Sequence, residues 1–318
     1  MMADPAGSES TADPKSLSFA APAKVNLYLH VTGSRADGYH LLDSLIAFAG
    51  IHDTLTLSPA DVVSLSVDGP FAGDLPANAE NLVLKAAARL GDVFGITAGA
   101  RMRLEKRLPV ASGIGGGSAD AAAALRGLAQ LWDIDGETAG LEDLALALGA
   151  DVPVCLGGYA SFVGGIGEEI TRAPRLPPAW LVLANPGVAL STTDVFAARQ
   201  GDFSQPDPFD ESPATAQVLA EFLGTRRNDL TEAALGLQPV IGDVLAALDA
   251  LDDCLLARLS GSGATCFGLF AEAGAAAGAA AVLGRDQPDW WVRAAPLLDD
   301  AGTLKRKGRR PEHSRAIF

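Results

Sequence analysis

Between Pro109 and Asp120 the chain reads Pro-Val-Ala-Ser-Gly-Ile-Gly-Gly-Gly-Ser-Ala-Asp, and it runs from there without a break into an Ala- and Leu-rich helical pattern through Trp132. Gly113, Gly115, Gly116 and Gly117 have no Cβ, so the backbone at these positions can approach a bulky anion closely. The helix that follows offers unpaired N–H groups and the positive end of its dipole. Phosphate is the ligand this combination suits, with an N-terminally capped helix on a flexible loop as the plainer alternative. The segment is not a Walker A loop, because no Lys-Ser or Lys-Thr pair follows the glycines. Nor is it G-x-G-x-x-G, because Ser118 occupies the third position.

Upstream, apolar and polar residues alternate from Ala23 to Val31: Val25, Leu27, Leu29 and Val31 point one way, and Lys24, Asn26, Tyr28 and His30 the other. This period predicts a half-buried strand with a polar face. Further strands are expected near Leu42 to Ala49, Thr54 to Leu57 and Val62 to Val67. A helix from Asn81 to Phe94 and a strand around Met102 follow. A helix over Leu141 to Leu148 should end on a left-handed Gly149, followed by Ala150-Asp151-Val152-Pro153. The cluster Pro174-Arg175-Leu176-Pro177-Pro178 is the best boundary candidate. Beyond it come a strand (Leu181 to Ala184), helices between Thr193 and Leu251, two strands around the loop Ser260 to Thr265, an Ala-rich helix from Glu272 and a last strand from Trp290. Strands with helices on one face predict an α+β sandwich.

Composition narrows the function. With 24 basic against 39 acidic residues, the formal charge is -15, which argues against general nucleic-acid binding by phosphate neutralisation. The run Lys305, Arg306, Lys307, Arg309, Arg310 and Arg315 is the local exception: a solvated tail, or a contact for RNA or a partner. Three cysteines without a C-x-x-C pair, and four histidines outside H-E-x-x-H spacing, exclude a disulfide framework and a structural zinc site. No apolar run is long enough to span a bilayer, and residues 1–16 carry acids where a signal peptide has basic residues. A cytoplasmic protein with a disordered leader is expected. Taken singly, Lys24 on a strand is more often solvated than functional, Asp151 is in a position to begin a turn, and Tyr39-His40 has many ordinary explanations. The Ser260 to Thr265 loop would pass for a hairpin.

Read together and in order, five segments are more specific. Pro22-Ala23-Lys24-Val25-Asn26-Leu27-Tyr28-Leu29, Arg35-Ala36-Asp37-Gly38-Tyr39-His40, the 109–120 loop, Gly149-Ala150-Asp151-Val152-Pro153 and Ser260-Gly261-Ser262-Gly263-Ala264 resemble the GHMP kinase superfamily over residues 19–299. The Pro-Ala-Lys-x-Asn and Asp-Gly-Tyr-His elements resemble the branch whose acceptor is a cytidine diphosphate ester of methylerythritol, used in non-mevalonate isoprenoid synthesis.

The resemblance implies a two-lobed fold: an N-terminal ATP lobe like ribosomal protein S5 (17–175), then a C-terminal ferredoxin-like lobe on the substrate side (176–299), with a basic tail (300–318). It implies transfer of the ATP γ-phosphoryl group to the 2-hydroxyl of the acceptor, with Mg²⁺. Asp151 matches the base that takes the hydroxyl proton, and Lys24 matches the lysine that pairs with it and orients the hydroxyl. Pro109, Val110, Ala111, Ser112, Gly113, Ile114, Gly115, Gly116, Gly117, Ser118 and Ala119 match the ATP loop, with Ser118 near the β-phosphate and metal. Asn26, Tyr39, His40, Asp151 and Thr192 match the substrate side, His40 and Tyr39 reading and stacking on cytosine. Two departures stand out. Ala119 replaces a second loop serine, and Ala111-Ser112 replaces a more Gly-rich pair. The rivals are another kinase of the superfamily acting on homoserine, mevalonate or a sugar, a nucleotide binder without chemistry, and an RNA-binding protein. The paired Tyr39-His40, the joint presence of Lys24 and Asp151, and the acidic body disfavour them in turn.

Overall fold

The alternation from Ala23 to Val31 lies inside a longer strand. In the computed structural model, which describes residues 16–75, 80–134 and 140–304, β1 (Leu17–Ser34) pairs antiparallel along its length with β2 (His40–Ala60). The two strands expected at Leu42 and Thr54 are therefore one, because β1 pairs straight through the segment between them: Pro22 faces His52 and Ala21 faces Asp53. On the edge of β2 away from β1, β4 (Gly99–Glu105) pairs at one end and β5 (Ser161–Gly165) at the other, with β3 (Ser64–Asp68) added to β4 and β6 (Glu169–Arg172) to β5.

Four helices cover one face of the first sheet: α1 (Leu82–Phe94), α2 (Gly116–Leu131), α3 (Leu141–Leu148) and α4 (Val152–Gly157). Asn81 caps α1, its side chain accepting from the Val83 amide. The expected left-handed stop of α3 is corrected. Gly149 has φ 160, which is extended, and the helix closes by its amide donating to the carbonyls of Ala145 and Leu146. The core here joins Phe19, Phe48, Leu55, Leu57 and Met102 of the sheet to Val83, Leu90, Leu125 and Leu128 of the helices.

The second half is built from β7 (Trp180–Asn185), α5 (Thr192–Ala198), α6 (Ala216–Gly224), α7 (Thr231–Leu237), α8 (Val240–Asp249), β8 (Leu256–Leu259), β9 (Cys266–Phe270), α9 (Ala273–Asp286) and β10 (Trp291–Leu298). Its strands lie in the antiparallel order β10, β7, β9, β8. With helices between the first and second strands and between the third and fourth, this is the ferredoxin-like arrangement. β7 is apolar from Trp180 to Ala184 because both its faces are covered. Leu181 and Leu183 face Val25, Leu27 and α6, while Val182 and Ala184 face α8 and α9. β10 also reaches β2, with Leu297 opposite Ala49, so the two halves share one continuous sheet.

Among the described residues, no helix is long and apolar enough to cross a membrane. Of the expected leader only Ser16 is described, and of the expected tail only residues 300–304. Lys305 through Arg315 lie outside the described residues.

Candidate active site

A cavity of about 800 Å³ opens where the two halves meet, between β1, the start of α2, the start of α4 and α5. Its floor comes from Lys24, Asn26 and Leu29 of β1, and here the sequence expectation is corrected. The register shifts between Asn26 and Tyr28, so the alternation does not run through to Val31, and Tyr28 and His30 meet Asp43 instead of the cavity. Lys24, Asn26, Tyr28 and His30 are all buried rather than solvated, because β2 and the loop after β8 cover them. The Lys24 Nζ donates to Asn26 Oδ1 at 2.8 Å and lies 3.1 Å from Asp151 Oδ2. Asn26 Nδ2 in turn donates to Ser44 Oγ at 2.8 Å, and Ser44 Oγ donates to the Tyr28 carbonyl. Lys24 has little rotational freedom left. Its side chain is 6% exposed while Asp151 is 43% exposed, so the pair joins a buried cation to a carboxylate open to the cavity. Asp151 is held there because it precedes the first turn of α4, where Pro153 fits without an N–H.

The glycine loop forms one wall. Three successive carbonyls at its centre are taken: Ser112 O accepts from Thr265 N, Gly113 O from Ser260 Oγ, and Ile114 O from Lys24 N. The amides of Gly116, Gly117 and Ser118 start α2 and make no backbone hydrogen bond. They are the orphan donors of a helix N-terminus, and they face a cavity with no acidic side chain on that wall. The second glycine loop is what pins the first. A Cβ at Gly113 would lie 2.5 Å from the Ser260 carbonyl, and one at Gly261 would lie 3.0 Å from the Gly113 carbonyl. The hairpin reading of residues 260–265 holds locally, since β8 and β9 do pair, but its tertiary part is to clamp the loop.

Of the expected ATP residues, Ala111, Ser112, Gly113, Gly115, Gly116, Gly117 and Ser118 line the cavity. Pro109, Val110, Ile114 and Ala119 do not. Ile114 is buried in the core, and Ser112 turns its hydroxyl inward to the Pro109 carbonyl. Ala119 is corrected most clearly. Its side chain packs in the hydrophobic core, and its amide donates to Gly115 O within the helix, so it presents neither group to a ligand. Ala111 has φ 49, a left-handed conformation unusual for a residue with a Cβ.

The opposite wall is aromatic. His40 lies against Phe196, ring centroids 5.1 Å apart, and Tyr39 stands 60% exposed at the rim. Thr192 lines the cavity with its hydroxyl 2.9 Å from that of Ser262. Phe196 escaped the sequence reading, although its i+4 spacing from Thr192 puts both on one face of α5.

Also unanticipated is a buried ion cluster below the loop. Lys106 Nζ donates to Asp53 Oδ2 at 2.5 Å and to Asp120 Oδ2 at 2.7 Å, and Asp53 Oδ1 accepts from the amides of Arg107 and Leu108. Burial opposes the Lys106 charge, but the two carboxylates hold its pKa above the ordinary lysine value. Burial pushes Asp120 up to about 7, against the pull of the Lys106 ammonium and with the Asp53 charge adding to the rise.

The comparisons agree with this geometry. Residues 81–159 match the GHMP kinases N terminal domain, and residues 214–288 match GHMP kinases C terminal. The chain is 59% identical over 283 residues to the 4-diphosphocytidyl-2-C-methyl-D-erythritol kinase of Paramagnetospirillum magneticum, covering 89% of this chain and 99% of that one. It is 56% identical to the protein of the same name from Rhodospirillum rubrum, covering 90% and 94%. A crystal structure of 4-(cytidine 5'-diphospho)-2C-methyl-D-erythritol kinase superimposes with TM-score 0.75 at 35% identity, covering 88% of this chain and 99% of the other. Homoserine kinase from Cytophaga hutchinsonii, at 20% identity and TM-score 0.69 over 93% and 99%, shares the fold. With a lysine-aspartate pair facing free helix amides, and relatives this similar over nearly their whole length, the chain belongs to the 4-diphosphocytidyl-2-C-methyl-D-erythritol kinase family of GHMP kinases.

Proposed function

We propose that the chain transfers the γ-phosphoryl group of ATP to the 2-hydroxyl of 4-diphosphocytidyl-2-C-methyl-D-erythritol, giving the 2-phosphate and ADP. The observation that carries this reading is the Lys24–Asp151 pair, set in one cavity between the free amides of α2 and the His40–Phe196 wall. A triphosphate on the amides and a pyrimidine on the aromatic wall would bring donor and acceptor together over Asp151.

Asp151 accepts the proton of the acceptor hydroxyl as that oxygen attacks the γ-phosphorus and the bond to the β-phosphate oxygen breaks. Lys24, immobilised by Asn26, orients the carboxylate and lies beside the attacking oxygen. Phosphoryl transfer depends chiefly on positioning and on charge neutralisation. The amides of Gly116, Gly117 and Ser118 supply part of this. The Ser118 hydroxyl on the cavity wall is a hard oxygen donor suited to Mg²⁺, whose other ligands would be phosphate oxygens and water. Bound there, the metal would offset charge on the phosphates. On the acceptor side His40 reads the cytosine edge, Tyr39 and Phe196 supply stacking surface, and Asn26 and Thr192 hold the polyol end.

The division of labour runs only partly with the two halves: residues 17–175 hold ATP and also bring Asn26, Tyr39 and His40 to the acceptor, while residues 176–299 close on it with Thr192 and Phe196. Measuring ADP release with 4-diphosphocytidyl-methylerythritol beside homoserine, mevalonate and galactose tests the reading. Turnover confined to the cytidine ester supports it, and comparable turnover with any of the others rejects it.

A further inference from the structure

The Asp53–Lys106–Asp120 cluster is out of place in a core of Leu, Phe and Ala side chains. The Lys106 and Asp53 side chains are 1% and 0% exposed, and a buried ion cluster costs desolvation that its own attraction often only just offsets. Its position suggests what it is for. Lys106 follows β4 directly, Asp53 lies within β2, and Asp120 is in the second turn of α2, so one ammonium ties three elements together. Asp53 additionally holds the amides of Arg107 and Leu108, where the chain turns from β4 toward the glycine loop. The ammonium sits immediately under the first residue of α2: a Cβ on Gly116 would lie 3.0 Å from Lys106 Nζ and 3.7 Å from Asp53 Oδ2. Gly116 also bears the first of the free amides. The cluster therefore ties both ends of the glycine loop, the β4 exit and the α2 start, to the rigid centre of the sheet.

We infer that Lys106, with Asp53 and Asp120, is a positioning residue for the ATP triphosphate: it fixes the height and tilt of the first turn of α2 so that the amides of Gly116, Gly117 and Ser118 converge on the phosphates. The hydrogen bonds and ion pairs of the cluster run to one another and to the amides of Arg107 and Leu108, not to the aromatic wall or Lys24, so its effect falls on ATP affinity rather than on acceptor affinity. The inference rests on the reading that the triphosphate lies at the start of α2.

The test is titration calorimetry with ATP, and separately with the cytidine acceptor, on the full chain. The uncharged triple variant Asp53→Asn, Lys106→Met, Asp120→Asn removes all three charges at nearly constant volume, which buried ion clusters tolerate in several proteins. The Kd for ATP should rise at least tenfold while that for the acceptor stays within twofold and the thermal midpoint stays within a few degrees. An ATP Kd within twofold of the parent, or equal losses for both ligands, overturns the inference. If the triple variant does not fold, Asp120→Asn alone decides: it keeps the Lys106–Asp53 pair and should still weaken ATP at least threefold without affecting the acceptor, and an unchanged ATP Kd overturns the inference. Gly117→Asp separates this from the reading beneath it, because residue 117 has room for a side chain and an anion there opposes the phosphates. If Gly117→Asp binds ATP normally, the triphosphate lies elsewhere and both fail. If Gly117→Asp loses ATP while the cluster variants keep it, only the positioning role fails.

Discussion

Gly115 and Lys24 are packed so closely that a Cβ on residue 115 would lie 2.5 Å from Cγ of Lys24. Residue 115 thus has no room for a side chain while Lys24 keeps its place beside Asp151. Gly115 is also left-handed, with φ 62. Gly115→Ala should therefore pay about 1–2 kcal/mol in backbone strain and displace Lys24 as well. We expect a folded protein by circular dichroism whose kcat falls at least tenfold. A kcat near the parent value would show that Lys24 tolerates displacement.

Asp151→Asn removes the proton acceptor and keeps the shape. Turnover should fall by about 10²–10⁴-fold, the usual worth of a positioned base, with ATP and acceptor dissociation constants within twofold. Near-normal turnover would take Asp151 out of the chemistry.

His40→Ala and Phe196→Ala strip the aromatic wall. Loss of one stacking surface for a base costs about 1–3 kcal/mol, roughly 5- to 150-fold in affinity. The KM for the cytidine ester should rise by that amount while the KM for ATP is unchanged. Parallel increases in both would place these residues in general packing.

Ala111 is the converse of Gly115, a side chain where the backbone favours glycine. Ala111→Gly relieves about 1–2 kcal/mol of left-handed strain and loses about 0.4–1 kcal/mol through the freer unfolded chain. A denaturant titration should find the variant as stable as the parent or up to about 1.6 kcal/mol more so. Clear destabilisation would mean that the Ala111 methyl makes contacts worth more than the strain.

Asp43 ties β2 to the segment before α6. Burial works against its charge, but the His30 ring, the Asp207 amide and the Tyr28 hydroxyl hold its pKa below the ordinary value of 3.8. A carboxylate depressed in the folded state binds fewer protons there than when unfolded. Its contribution is fully present above pH 3.8 and is lost as pH falls through the lower folded value. Asp43→Asn should lower stability at neutral pH and flatten the acid limb of the stability curve. An unchanged acid limb would show that other carboxylates control it.

Where information is local, the residues themselves were sufficient. The helix expected from Asn81 begins there, with the Asn81 side chain as its cap. Gly113 to Ser118 can be little else than a loop before a helix start, and the free amides are at that start. The ordered Lys24, His40, Asp151 and Ser260 motifs led to the family because spacing along a chain is a property of sequence. Alternation in β1 could not tell a solvated polar face from one that lines a site, since both have period two. Burial of Lys24 depends on what β2 and the 260–265 loop bring over it.

The same limit explains the residues that were missed. Lys106 follows a strand like any solvated lysine, and only the register of β2 and the rotation of α2 place Asp53 and Asp120 on either side of it. Ala119 matched the ATP loop by its place in the motif, but a helix turns each successive residue about 100° from the last, and that rotation takes it from the cavity beside Ser118 into the core. Local sequence carried the starts of α1, α2, α3 and α9, the glycine loop, the chemical groups available and the family, but neither the short α4 nor the separate starts of α5 to α8. The tertiary structure alone decided which of those groups meet, because hydrogen bonds such as Asn26 to Ser260 and Lys106 to Asp53 join segments far apart in the chain. Local patterns report which face of an element is apolar, and only packing determines what that face, or its polar opposite, comes to touch.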